Sequence, residues 1–118
     1  MNTVKFDQAE LLPLPKRDVR CYIGSEKMDT PVKSDSITMG MTEVPPNTDM
    51  LPHMHEIEEE IIYIFEGTGT VTIGGVTETI EPLTAALFPV GLEHQVRNTG
   101  DVPLKFVFMF NPVFNFGR

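Results

Sequence analysis

Three histidines are all that this chain carries, and two of them, His53 and His55, are separated by a single residue. On an extended strand that spacing points both imidazoles to one face. Two carboxylates, Glu59 and Glu60, follow closely, and the third histidine is His94. Three imidazoles with one carboxylate make a ligand set for one divalent transition metal, Fe, Mn, Ni, Co or Zn, rather than for Ca or Mg. Four protein donors would fill a tetrahedral zinc site and leave it structural. In an octahedral ion they leave two positions open, enough for a substrate chelating through two oxygens, or for one substrate oxygen beside water or dioxygen. The ion would then serve as Lewis acid, template or activator of water. His-x-His alone is a weak signal, and each imidazole has the ordinary alternative of a hydrogen-bonded surface or core residue.

The elements that must position these residues read as short strands. Ten prolines and nine glycines punctuate short apolar runs, and helical periodicity is scarce. Strands are expected at 19–23, 37–44, 61–66, 70–73, 76–80, 84–88, 94–98 and 104–110. Gly74-Gly75 between two of them is a two-residue hairpin turn. Glu60 stands five residues beyond His55, an odd offset that would point it to the opposite face, so the chain must bend within residues 56–59. Glu59 and Glu60 then lie on opposite faces, and only one can reach the metal. Many short strands with tight turns argue an all-β sandwich or barrel. Residues 1–18, containing Leu11-Leu12-Pro13-Leu14-Pro15, read as an N-terminal arm lying across an apolar surface of its own barrel or of a partner subunit. Residues 19–118 read as a single barrel domain.

Composition narrows the partners. The 118 residues carry a formal charge of -8, which disfavours nucleic acid and anionic membrane as partners. Cys21 is the single cysteine, so no intrachain disulfide or thiolate metal site is expected. No basic stretch precedes a long apolar run at the start, and no run of eighteen apolar residues occurs. The expected location is therefore cytoplasmic.

The metal residues also carry a family resemblance. His53-x-His55-x4-Glu60-x6-Gly67 resembles the first motif of the cupin superfamily, and Pro89-x-Gly91-x2-His94-x3-Asn98 resembles the second. The resemblance implies a double-stranded β-helix, a jelly-roll barrel, with His53, His55, Glu60 and His94 ligating one metal inside it. Glu60, rather than Glu59, is the residue that matches the motif. Gly67, Pro89, Gly91 and Asn98 match turn and scaffold positions. Two places where such motifs carry glycine hold Asn47 and Leu83 here. The resemblance further implies a homodimer, often with an exchanged N-terminal strand. It does not fix a reaction, because one fold hosts many.

Strand alternation then gives the expected surroundings. Ile62 follows Glu60 inward and Val96 follows His94, while Tyr63 and Arg97 point out. Met39, Met41, Phe88, Phe106 and Phe108 are the other wall residues expected. This is an apolar pocket for a small molecule with few hydroxyls. No second catalytic residue stands out; Glu59, Tyr63 and Arg20 are weak candidates for acid, base or carboxylate clamp. Two functions fit: a metal-dependent enzyme of lyase, isomerase or dioxygenase type, or a non-catalytic protein whose metal holds a small ligand.

Overall fold

A computed structural model describes residues 2–118. Each β-branched or aromatic run between turn residues becomes a strand. In chain order these are β1 (Glu10–Leu14), β2 (Arg17–Gly24), β3 (Val32–Lys33), β4 (Thr38–Val44), β5 (Thr48–Asp49) and β6 (Glu59–Glu66). Then come β7 (Gly69–Ile73), β8 (Val76–Ile80), β9 (Ala85–Phe88), β10 (His94–Asn98) and β11 (Leu104–Asn111). One sheet runs β1-β2-β4-β11-β6-β9, with β3 added to β2; the other runs β5-β10-β7-β8. Every pairing is antiparallel except that of β2 with β3. The interleaving of β11 between β4 and β6 gives the jelly roll. No helix among the described residues is long and apolar enough to cross a membrane.

The core lies between the two sheets. Leu104, Phe106, Phe108 and Phe110 of β11 alternate inward with Lys105, Val107 and Met109 on the other face. Ile62 and Ile64 of β6, Val71 of β7 and Val96 of β10 meet them from their own inward faces. The Gly74-Gly75 turn has φ of 56° and 82° and joins Ile73 to Val76 as a two-residue hairpin. Asn47 and Leu83, which stand where glycines were expected, also adopt positive φ, at 53° and 71°. The turn backbone is thus kept, and Leu83 bears a conformation unfavourable for a branched side chain.

Three expectations change. Residues 1–18 are not wholly an arm: β1 pairs with β2 as a hairpin of the chain's own sheet, and the boundary at residue 18 falls inside β2. Pro13 is tolerated because β1 is an edge strand, where a missing N–H breaks no ladder. The inward face of β4 is Thr38, Gly40, Thr42 and Val44, so Met39 and Met41 point out of the barrel. Space explains this inversion. A Cβ on Gly40 would lie 2.2 Å from the Arg20 carbonyl oxygen and 2.7 Å from Phe108 Cζ. The facing β11 fills the interior with phenyl rings, leaving β4 room only for small side chains. Finally, β3 and β5 are two-residue strands that fall outside the strands expected from sequence.

Candidate metal centre

The four candidate ligands converge where the two sheets meet. His94 opens β10, and His53 pairs with it through an isolated antiparallel bridge. The His53 N–H donates to the His94 carbonyl at 3.0 Å, and the His94 N–H returns a bond to the His53 carbonyl at 2.8 Å. Backbone pairing therefore sets the two imidazoles side by side, with ring centroids 4.2 Å apart. The segment around His53 and His55 is otherwise outside the named strands, and the chain bends at Glu56-Ile57 before β6 begins. That bend resolves the odd offset: Glu60 faces inward and is buried, whereas Glu59 is exposed on the opposite face.

Each imidazole is oriented by a different neighbour. His53 Nδ1 lies 2.9 Å from the Leu51 carbonyl, so it donates there and leaves Nε2 free for a ligand. His94 stacks on Phe88, with centroids 4.0 Å apart and planes 9° from parallel. Edges of Phe110 and Phe114 confine His55, at 5.0 and 4.8 Å. One donor atom from each of His53, His55, Glu60 and His94 lies within 4.8 Å of the others. His55 Nε2 is 3.3 Å from Glu60 Oε1 and His94 Nε2 is 3.6 Å from it. Yet these three atoms, all buried, have no hydrogen-bond partner among the described residues. Buried polar atoms are normally satisfied, and leaving several orphaned in one place is costly. A cation among them would satisfy all three at once, so the donor set fits the metal implied by the sequence.

The electrostatics agree with ligation. Burial, and after it the neighbouring His53 and His55, pushes His94 down to about 3. Burial also lowers His53, against the upward pull of its bond to Leu51 and of Glu60. Both rings are thereby held neutral near pH 7, the form that binds a metal.

A cavity of about 370 Å³ opens over this cluster, within the size range of small-molecule sites. Of the wall residues expected from sequence, Phe88, Val96, Phe106 and Phe108 line it. Met39 and Met41 do not, because they face outward; Ile62 does not, because it is fully buried in the core. The weak catalytic candidates lie elsewhere. Glu59 and Tyr63 are on the exposed face of β6, and the Arg20 guanidinium sits 4.0 Å over the Phe6 ring. Gly67, between β6 and β7, and Gly91, in the turn before β10, take positive φ; Pro89 directly follows β9, and Asn98 is the buried last residue of β10. Sequence reasoning missed Phe110, Phe114 and Phe116, although Phe110 continues the i, i+2 face of Phe106 and Phe108. It also missed Arg17, Leu14 and Val19, which belong to the unexpected hairpin and line the cavity.

Comparison with known proteins follows the same pattern. The family model described as Cupin domain matches residues 40–110. Over 111 residues the chain is 29 % identical to the "Polyketide synthase CurC" of Streptomyces cyaneus, covering 91 % of this chain and 68 % of that one. It is 28 % identical over 75 residues to the "Tetracenomycin polyketide synthase protein TcmJ" of Streptomyces glaucescens, covering 64 % of this chain. The chain spans only half the length of that relative. Among solved structures, the polyketide cyclase RemF from Streptomyces resistomycificus superposes with a TM-score of 0.77 at 25 % identity, covering 94 % of this chain and 79 % of RemF.

Proposed function

This chain belongs to the cupin family, and on that premise we propose that it is a metal-dependent enzyme for a small, oxygen-bearing, largely planar molecule, of polyketide-like chemistry. The observation that carries the reading is the convergence of orphaned donors from His55, Glu60 and His94 beneath a phenylalanine-walled cavity. A divalent metal bound there would supply Lewis acidity to substrate oxygens. The chain's own residues do the rest. Phe88, Phe106, Phe108, Phe110, Phe114 and Phe116 offer flat apolar walls that favour an aromatic or conjugated molecule and exclude water.

The cavity's inventory of protonatable groups also limits the chemistry. Besides the four candidate ligands, Arg17 is the one ionisable residue lining it among the described residues. Among them no further side chain stands ready as general base. Reactions that suit such a site begin from a substrate that gives up its proton readily, as a carbon between two carbonyls does. Ring closure or isomerisation of a poly-carbonyl chain meets that condition, and the likeness to CurC, TcmJ and RemF supports the same class.

The test is metal content and a chelating probe. Elemental analysis should find one transition-metal ion per chain, and acetylacetone, a minimal 1,3-diketone, should shift its ultraviolet band on binding the loaded protein. Iron would favour dioxygenase chemistry, whereas zinc, nickel or manganese would favour lyase or isomerase chemistry. A protein that takes up no metal on reconstitution refutes the reading. A loaded protein indifferent to acetylacetone points instead to a structural metal with no open position, the non-catalytic alternative.

A further inference from the structure

Arg17 is a charged residue at a core-facing position. On β2 it alternates with Val19 and Cys21, both fully buried, and it lines the cavity with Leu14, its partner across the hairpin turn. Side chains at such positions are normally apolar, and a guanidinium there normally has a carboxylate partner. Among the described residues no carboxylate oxygen lies within 4 Å of it. Its one hydrogen bond is from Nη1 to the Pro15 carbonyl, at 3.1 Å, which closes the turn and leaves most of its five donors unused. Burial lowers its pKa, and Glu60 is the acid whose charge opposes that lowering. Glu60 is also a proposed metal ligand, so a bound cation would neutralise that charge and leave Arg17 without a counter-ion in a phenylalanine-lined space.

We propose that Arg17 is a specificity-determining residue that receives an anionic oxygen of the ligand, a carboxylate or an enolate or phenolate oxygen, while other ligand oxygens face the metal cluster. The inference rests on the reading of the cavity as a small-molecule site and names the charge its occupant must carry. A planar guanidinium suits a carboxylate because two N–H groups can donate in parallel. Neutral, sugar-like ligands leave Arg17 unsatisfied and are disfavoured; flat acids and ionised phenols satisfy both the walls and the cation.

The experiment compares 3,4-dihydroxybenzoate with catechol by calorimetry, on metal-loaded wild-type protein and on the R17Q and R17K variants. Both probes chelate through the same diol and differ by one carboxylate. The expected result is a wild-type preference for the acid of at least tenfold, lost in R17Q and partly kept in R17K, with catechol affinity unchanged within about twofold. Loss of a charge-assisted hydrogen bond predicts an effect of that size. Equal affinity of wild type for the two probes, or a preference that survives in R17Q, overturns the inference. Elemental analysis and thermal melts of each variant accompany the titrations. R17K, which keeps the charge, guards against reading a folding defect as lost recognition. The metal reading is scored separately with benzoate and benzamide on chelator-treated protein. A preference for benzoate that depends on Arg17 upholds this inference even if no metal binds, and a loaded protein without any charge preference removes it while leaving the metal centre standing.

Discussion

Two polar side chains lie on the inward face of β10, four residues apart, and their hydrogen bonding is opposite. Asn98 is 1 % exposed and saturated: Nδ2 donates to the carbonyls of Val44, Pro45 and Val102 at 2.9–3.0 Å, and Oδ1 accepts the Gly100 N–H at 2.9 Å. His94 is 2 % exposed, its Nε2 has no partner among the described residues, and its ring meets only the weak upward pull of the Leu92 backbone. The strand and the burial are the same, so the difference is one of purpose. Asn98 ties the loop after β4 to the turn before β11 and is spent on the fold. His94 keeps its lone pair for something else, and its neighbours His55 and Glu60 do likewise. Burial alone therefore does not mark a functional residue; buried polarity left unmatched does.

That contrast can be broken at either end. The largest effect is expected for His94→Leu in metal binding, a loss on the order of a thousandfold, about 4 kcal/mol. Titration of the metal-free protein with zinc would measure it. The same substitution should leave the stability of the metal-free protein unchanged or improved, because it removes an unsatisfied buried group. A large loss of stability without metal would mean that His94 belongs to the fold after all. Asn98→Ala should do the reverse, lowering stability by roughly 2–4 kcal/mol in urea unfolding, since the carbonyls of Val44, Pro45 and Val102 lose their shared donor. Its metal affinity, measured where the protein is folded, should stay near that of the parent.

Acid sharpens the comparison at intermediate scale. His94 titrates near 3 when folded and near 6.5 when unfolded. Between those values the unfolded chain binds the extra proton, so stability should be fully present above pH 6.5 and fall as the pH drops toward 3. The slope from this residue reaches at most about 1.4 kcal/mol per pH unit. His94→Leu should flatten the curve of unfolding midpoint against pH for the metal-free protein, whereas an Asn98 variant should keep its slope. The smallest effect is reserved for Glu59→Gln. Its side chain is exposed beside the buried Glu60, so stability should move by less than about 0.5 kcal/mol and metal content should hold. A stronger effect than that of Glu60→Gln would put the register of β6 off by one.

How much of this was legible in the sequence follows from the same physics. The four candidate ligands were readable because histidines are few and because both motifs resemble those of the cupin superfamily, a likeness that singles out Glu60 over Glu59. The period-2 phenylalanine face of β11 was readable because its alternation is unbroken. On β4 the pattern misleads: methionines read as the core face, yet phenyl rings from β11 fill the space and demand Gly40 and two threonines opposite. Arg17 was hidden because Pro13 and Pro15 mask an edge hairpin that tolerates them. The first failure concerns how much room a neighbouring strand leaves and the second which strand stands at a sheet edge, and no local pattern states either.

The double backbone bond between His53 and His94 has a consequence for timing. Its two ends stand forty-one positions apart in the chain, and contacts so distant form late, after the intervening loop has closed. Before that closure an emerging chain offers only His53, His55 and nearby acids, a weak and indiscriminate binder. Metal uptake should therefore follow folding rather than guide it. Parting of the bridge, a local opening, would draw His53 away from the other three donors and weaken the site while the rest of the barrel stays folded.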